Sequence, residues 1–184
     1  CPVVTGAERG IIAAASYEAK ALGIKRCIQL SEARRLCPDL AILPSDYETY
    51  ALYSQKMFAI LRRFTPQVEE YSIDEAFADL DGCGGVLGCP QEAVAERLRR
   101  AVAAELGLTV SVGVSLTKTL AKLCSKFRKP NGQTVLRREH VPLMLQRTPI
   151  DAVWGIGPGS AARLRARAIA TAGDFTRMEE AAVL

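Results

Sequence analysis

Two adjacent acids, Asp74-Glu75, sit between Ile73 and the apolar run Ala76-Phe77-Ala78. Paired carboxylates among apolar residues are unfavourable unless something compensates their charge. A bound divalent cation does so. Magnesium takes a few carboxylates plus substrate phosphate oxygens, which suits two-metal phosphoryl transfer. In a regular strand neighbours point to opposite faces, so both acids serve one site only if the strand bends or Glu75 wraps around. An exposed turn at a hairpin tip is the alternative reading.

The basic counterpart is Leu116 to Lys129. At about 100° per residue, Leu116, Leu120, Leu123 and Phe127 share one helical stripe, and Lys118, Lys122, Lys126 and Lys129 share the opposite one. This predicts a helix that packs on the core and shows a lysine ridge to solvent. Such a ridge is either a plain soluble face or a binder of triphosphate or nucleic-acid backbone. Lys129 stands beside Pro130, where the helix must stop, and is the lysine best fixed in position. Further on, Val153-Trp154-Gly155-Ile156-Gly157-Pro158-Gly159-Ser160 has the form of a helix-hairpin-helix turn. Its glycines let backbone approach a phosphate, and the next helix offers free amides. That contact is independent of base sequence. An ordinary helix–helix turn is the alternative.

These groups need a scaffold. The chain has 184 residues, 49% hydrophobic and 24% charged, enough for one large domain or two modest ones. No apolar run reaches membrane-span length and the start does not read as a signal peptide. Cys1 leads directly into an apolar run and Glu179 to Leu184 reads as mid-helix, so both ends are read as cuts. Six cysteines without a C-x-x-C pair, and the lone His140, argue for reduced thiols over zinc. The net charge of +4 decides nothing, but bases gather at 118–138 and 163–167 and acids at 69–81.

Strands are predicted at Val3 to Thr5 and Ile11 to Ala15, then short helices from Tyr17 and from Ser31, which is read as an N-cap. Asp46 caps a longer helix with apolar positions Ala51, Leu52, Met57, Phe58, Ile60 and Leu61. Strands Val68 to Ser72 and Ala76 to Leu80 follow, then a glycine-rich loop at 81–88. Next come a helix from Gln91 to Leu106, a strand from Thr109 to Ser115, a helix from 116, a strand from Thr134 and small helices. The order suits an α+β layer, helices on one face of a largely antiparallel sheet.

In order along the chain, Ala15-Ser16-Tyr17-Glu18-Ala19-Lys20-Ala21-Leu22-Gly23, Asp46-Tyr47-Glu48-Thr49-Tyr50, Tyr71 to Phe77, Ser111 to Lys122, Lys129-Pro130-Asn131-Gly132 and Trp154 to Gly157 resemble the Y-family translesion DNA polymerases. The resemblance implies small fingers, a ferredoxin-like palm and a small helical thumb with a helix-hairpin-helix. By it, 1–15 are edge strands of palm and fingers, 16–45 fingers, 46–136 palm and 137–184 partial thumb. It implies error-prone, template-directed DNA synthesis past lesions in repair or SOS mutagenesis, in the cytoplasm. Asp74 and Glu75 would be the catalytic ligands of two Mg2+ ions. Tyr17, Lys20 and Lys129 would hold the incoming deoxynucleotide. Lys118, Lys122, Gly155, Ile156, Gly157 and Ser160 would hold primer-template DNA. A sliding clamp is the further partner implied, and no membrane.

Departures from the family are visible. Its first metal-binding aspartate and its ribonucleotide-excluding aromatic precede Val3, and its little finger follows Leu184, so the chain by itself is expected to polymerise nothing. Lys20 stands where many relatives have arginine and cannot form a bidentate fork. Ala168 replaces a frequent glycine. The rival reading is a non-catalytic DNA-binding paralogue serving as scaffold, disfavoured because a scaffold has no need of buried paired acids. A nucleotide cyclase of the palm type is disfavoured by the glycine hairpin.

Overall fold

The computed structural model describes residues 1–179 except 84, 86 and 87. The expected glycine-rich loop is therefore described only in part, and most of the expected terminal helix lies outside the described residues. The chain divides into two compact units, Cys1–Leu52 and Tyr53–Leu184.

In the first unit, β1 (Val3–Thr5) pairs antiparallel with β2 (Ala14–Ala15) and parallel with β3 (Ala41–Leu43). The strand expected from Ile11 shortens because Ile12 bonds elsewhere, its N–H to Ile28 O and its carbonyl to Cys27 N–H. Gly6 turns the chain after β1 at φ +113°, and a Cβ there would lie 2.2 Å from Ile11 O. Helix α1 (Tyr17–Ala21) starts at Ser16, whose Oγ accepts from Ala19 N–H and Val3 N–H, both at 3.2 Å. Helix α2 (Leu30–Leu36) is entered from Gln29, not Ser31. Ser31 lies inside the first turn and its hydroxyl reaches back to Gln29 Oε1, so it cannot serve as the cap. Val4, Ile12, Ala19, Ile24, Ala33 and Leu40 form the core.

Helix α3 (Tyr47–Arg62) begins as expected at Asp46, whose Oδ1 accepts from Thr49 N–H at 3.0 Å. Hydrogen bonds from Thr49 hold the Asp46 carboxyl below its ordinary range. Met57, Phe58, Ile60 and Leu61 are buried against Leu98 and Val102 of α4 (Gln91–Leu106), while Leu52 is exposed rather than part of that face. Each fully buried aliphatic or aromatic side chain contributes about 1.5–3 kcal/mol. Strands β4 (Val68–Ser72) and β5 (Glu75–Ala78) form an antiparallel hairpin. Strand β6 (Val112–Val114), helix α5 (Lys118–Phe127) and β7 (Gln133–Val135) form a strand–helix–strand unit with parallel strands.

The expected largely antiparallel sheet is thus replaced by small ladders ordered β2-β1-β3, β4-β5 and β6-β7. The reason is connectivity: a helix carries the chain back between β6 and β7, and that crossover makes the pair parallel. The strand expected over 109–115 keeps only its centre, and Thr117, whose Oγ1 accepts from Leu120 N–H, starts α5 after Leu116. Gly113 explains how closely the layers meet. A Cβ there would lie 2.0 Å from Ala121 O and 2.5 Å from Ser125 N, so only glycine lets β6 lie against α5.

The remainder comprises α6 (Val141–Arg147), α7 (Pro158–Ala166) and α8 (Ala172–Phe175) with short 3-10 turns at Arg138–His140 and Ile150–Ala152. Thr171 and Asp174 make a reciprocal capping box at α8. Hydrogen bonds from Thr171 lead the causes that lower the Asp174 carboxyl. Among the described residues no helix is long and apolar enough to cross a membrane.

Candidate functional site

The acids stand at the tip of the β4–β5 hairpin, where Ser72 pairs with Glu75 and the register shifts between Glu70 and Ser72. Asp74 lies in the turn itself and Glu75 is the first residue of β5, so the two acids do not sit as neighbours within one regular strand. Asp74 Oδ1 accepts from Ser72 Oγ at 3.0 Å, and Glu75 Oε2 accepts from Lys122 Nζ at 2.7 Å. Both acids are exposed. The expectation of buried paired acids is corrected here. A tip in water carries little desolvation penalty, so burial gives no argument against a scaffold role.

Lys122 corrects the expected solvent ridge. Its side chain is only 12% exposed, and its ammonium lies 4.5 Å from the Tyr71 ring centroid and 5.1 Å from that of Trp154. The Trp154 indole N–H donates to the Tyr71 hydroxyl at 3.2 Å, and Phe77 closes the cluster 5.5 Å from Trp154. A largely desolvated cation over aromatic faces is worth about 2 kcal/mol. Lys118 remains exposed, paired with Glu69 and over the Phe77 ring. The apolar stripe is also corrected, for Leu116 and Phe127 are exposed. Helix α5 instead meets the core through Cys124, fully buried, whose thiol burial pushes up and so keeps protonated.

Past the end of α5, Lys129 is exposed and no carboxylate among the described residues forms an ion pair with it. The turn that carries it is fixed. Asn131 is left-handed at φ +54°, and a Cβ on Gly132 would lie 1.9 Å from Arg128 O. Gly132 O accepts from Val112 N–H at 2.9 Å.

Near the aromatic cluster, Gly155 is left-handed at φ +92° and Gly157 enters α7, with Pro158 at its first turn. The element before this turn is the 3-10 turn Ile150–Ala152. Ile156 N–H bonds to Val153 O, and Ser160 is half-buried beside Arg163. Ala168 is left-handed at φ 62°, the conformation for which glycine is the easier residue. Tyr17 and Lys20 belong to the first unit, where the Lys20 ammonium lies 4.8 Å from the Tyr17 ring centroid.

The second unit therefore brings Asp74, Glu75, Lys118 and Lys122 around one hairpin and places Trp154, neighbour of Gly155, against it. Sequence reasoning missed Tyr71, Phe77 and Glu69 as partners of the lysines, and Arg99 as partner of Asn131. Tyr71 and Phe77 flank the acids in the run already singled out, which was the available signal. For Arg99 there was none beyond an arginine on an amphipathic helix. Among the described residues no three His, Cys, Asp or Glu side chains gather as a metal-binding group.

The family described as impB/mucB/samB matches residues 1–126. The chain belongs to that family. Its curated relatives include a DNA polymerase IV of Gluconobacter oxydans (strain 621H), 41% identical over 92% of this chain and 48% of the relative. Another, from Moorella thermoacetica (strain ATCC 39073 / JCM 9320), is 42% identical over 94% of this chain and 44% of its own length. The chain spans about half the length of the curated relatives it matches. Among solved structures, DinB from Sulfolobus solfataricus matches with a TM-score of 0.85 and 28% identity, over 99% of this chain and 54% of that one. An insertion ternary complex of Dbh DNA polymerase matches at 0.88 and 28%, over 99% and 55%. The mixed α+β fold of this impB/mucB/samB member is therefore that of the Y-family polymerases, as the motifs implied.

Proposed function

We propose that the protein containing this chain is a template-directed DNA polymerase of the lesion-bypass type, which adds deoxynucleotides to a primer 3′-hydroxyl. The observation that carries the proposal is the exposed Asp74-Glu75 pair at the hairpin tip, in a chain similar to DNA polymerases IV. What disfavours a scaffold for a mutagenesis complex is the similarity to proteins named DNA polymerase IV.

Each group then has a task. Asp74 and Glu75 fit magnesium by chemistry, since they offer hard carboxylate oxygens in water and leave positions for phosphate oxygens. Bound there, two ions would supply charge neutralisation of the reacting phosphates. Ser72 holds Asp74 by its hydroxyl, and Lys122 restrains Glu75. Lys129 offers an exposed cation to the triphosphate from its turn. Tyr17 and Lys20 are assigned to the nucleotide by the resemblance of their motif. Gly155, Ile156, Gly157 and Ser160, at the amide-rich start of α7, hold the DNA backbone in a helix-hairpin-helix manner, and Lys118 adds a surface charge. Catalysis is by positioning and charge neutralisation. Small fingers over 16–45 check the nascent pair weakly, a palm spans 46–136 and a thumb begins at 137. A sliding clamp, the SOS response and a cytoplasmic setting complete the proposal.

The test is primer extension by the full-length protein on intact and lesion-containing templates, with Asp74→Ala and Glu75→Ala. Both variants are expected to lose extension. Wild-type extension by either removes the assignment.

A further inference from the structure

We infer that Arg99, on the helix behind the site, is a positioning residue that holds the Lys129 turn in register for the incoming nucleotide. The inference rests on the proposed role of Lys129. Arg99 is planted first by its own helix: Nε and Nη2 donate to the two Glu96 oxygens at 3.0 and 2.9 Å. Arg100 Nε adds a third bond to Glu96 at 2.8 Å. With its guanidinium plane so fixed, the remaining nitrogen, Nη1, reaches across 32 residues of sequence. It donates to the Asn131 carbonyl oxygen at 3.0 Å and to Asn131 Oδ1 at 2.6 Å.

What it grips is the residue that turns the chain. Asn131 is left-handed, two positions after Lys129, and both of its oxygens are taken by one nitrogen. On the next residue, a Cβ on Gly132 would strike Arg128 O, while Gly132 O is bonded to β6. The turn is thus held by α4 at Asn131 and by β6 at Gly132, and Lys129 projects from it in solvent. Arg99 itself is only 20% exposed at its side chain and cannot serve as a general surface charge. A lysine in its place keeps the charge, but three donors on one nitrogen cannot reproduce the four bonds that the planar fork makes to Glu96 and Asn131. The consequence is specific: losing the fork loosens the place from which Lys129 meets phosphate, without touching the carboxylates.

The experiment is steady-state primer extension by the full-length protein, comparing Arg99→Lys, Lys129→Ala and the double variant, with thermal melts as a folding check. Asn131→Gly, which keeps the left-handed backbone and the carbonyl acceptor but removes Oδ1, gives a second arm. Arg99→Lys is expected to raise the nucleotide KM by about fivefold with kcat within about twofold of wild type, and to add almost nothing in the Lys129→Ala background. Asn131→Gly is expected to shift KM in the same direction by less. The inference is overturned if Arg99→Lys leaves KM unchanged while Lys129→Ala raises it. It is equally overturned if the two effects multiply in full, because Arg99 would then act independently of Lys129. If Lys129→Ala itself leaves KM unchanged, the triphosphate role fails first, and the inference falls with it.

Discussion

The hairpin tip and the Lys129 turn place opposite charges in water by opposite means. At the tip, the carboxylates are themselves engaged: Asp74 takes a hydroxyl and Glu75 takes an ammonium that lies against two aromatic rings. At the turn, the Lys129 ammonium has no carboxylate partner among the described residues, and the chain that carries it is what is held. Two clustered carboxylates repel and need nearby positive charge, whereas a single lysine in water needs only a rigid mount. The difference implies that mutations around the tip alter charge balance and those around the turn alter geometry.

The largest effect is expected where geometry leaves no room. Gly132→Ala forces a methyl to within 1.9 Å of Arg128 O, and a displaced turn is expected to lower stability by about 3 kcal/mol, read as a shift in urea midpoint. A midpoint like that of wild type would show the turn to be soft and undo the comparison. Next, Lys122→Met keeps much of the packing and removes the charge beside Glu75. It is expected to lower kcat by about thirtyfold, roughly 2 kcal/mol, with nucleotide KM nearly constant. Lys129→Ala is expected to do the converse, raising KM by about tenfold and leaving kcat within about threefold. If both variants moved the same parameter, tip and turn would not be separate devices.

The smallest effect concerns the mount of Arg99. Hydrogen bonds from Arg99 and then Arg100 bring the Glu96 carboxyl from 4.5 down to about 2. A carboxyl with a lowered folded value stabilises fully above its unfolded value and loses that contribution as pH falls through the folded one. The contribution of Glu96 is therefore present above about pH 4.5 and lost towards pH 2. Glu96→Gln is expected to flatten this acid limb slightly in melts across that window, the exposed carboxylate being screened by solvent. An unchanged limb would mean that Glu96 restrains Arg99 without stabilising the fold.

Much of the framework was legible because it is local. Asp46 as a cap, the buried face of α3 and the extent of α4 follow from side-chain type and helical spacing alone. The join at Asp74-Glu75 was legible from the strand-like runs on either side, and its exposure agrees with the hairpin-tip alternative. The lysine ridge was misread at Lys122, though Lys118, Lys126 and Lys129 are exposed as expected, because a helical wheel tells which residues share a face and not what that face meets. Tyr71 and Trp154 arrive from distant parts of the chain to cover Lys122. The acids were expected to be buried because their sequence neighbours are apolar, yet a hairpin tip exposes its residues whatever flanks them. The parallel pairing of β6 and β7 was lost because strand order along the sequence does not state which strands pair. Gly113 read as one step in an alternating strand, and only contact with α5 shows why no side chain fits there.

The central claim is that Asp74 and Glu75 carry the chemistry of nucleotide addition. Its most direct test is the single-turnover rate of nucleotide incorporation by the full-length protein with Asp74→Asn, alongside its DNA affinity. The expected rate is lower on the order of a thousandfold, about 4 kcal/mol, with DNA binding unchanged. A rate within a few-fold of wild type would contradict it.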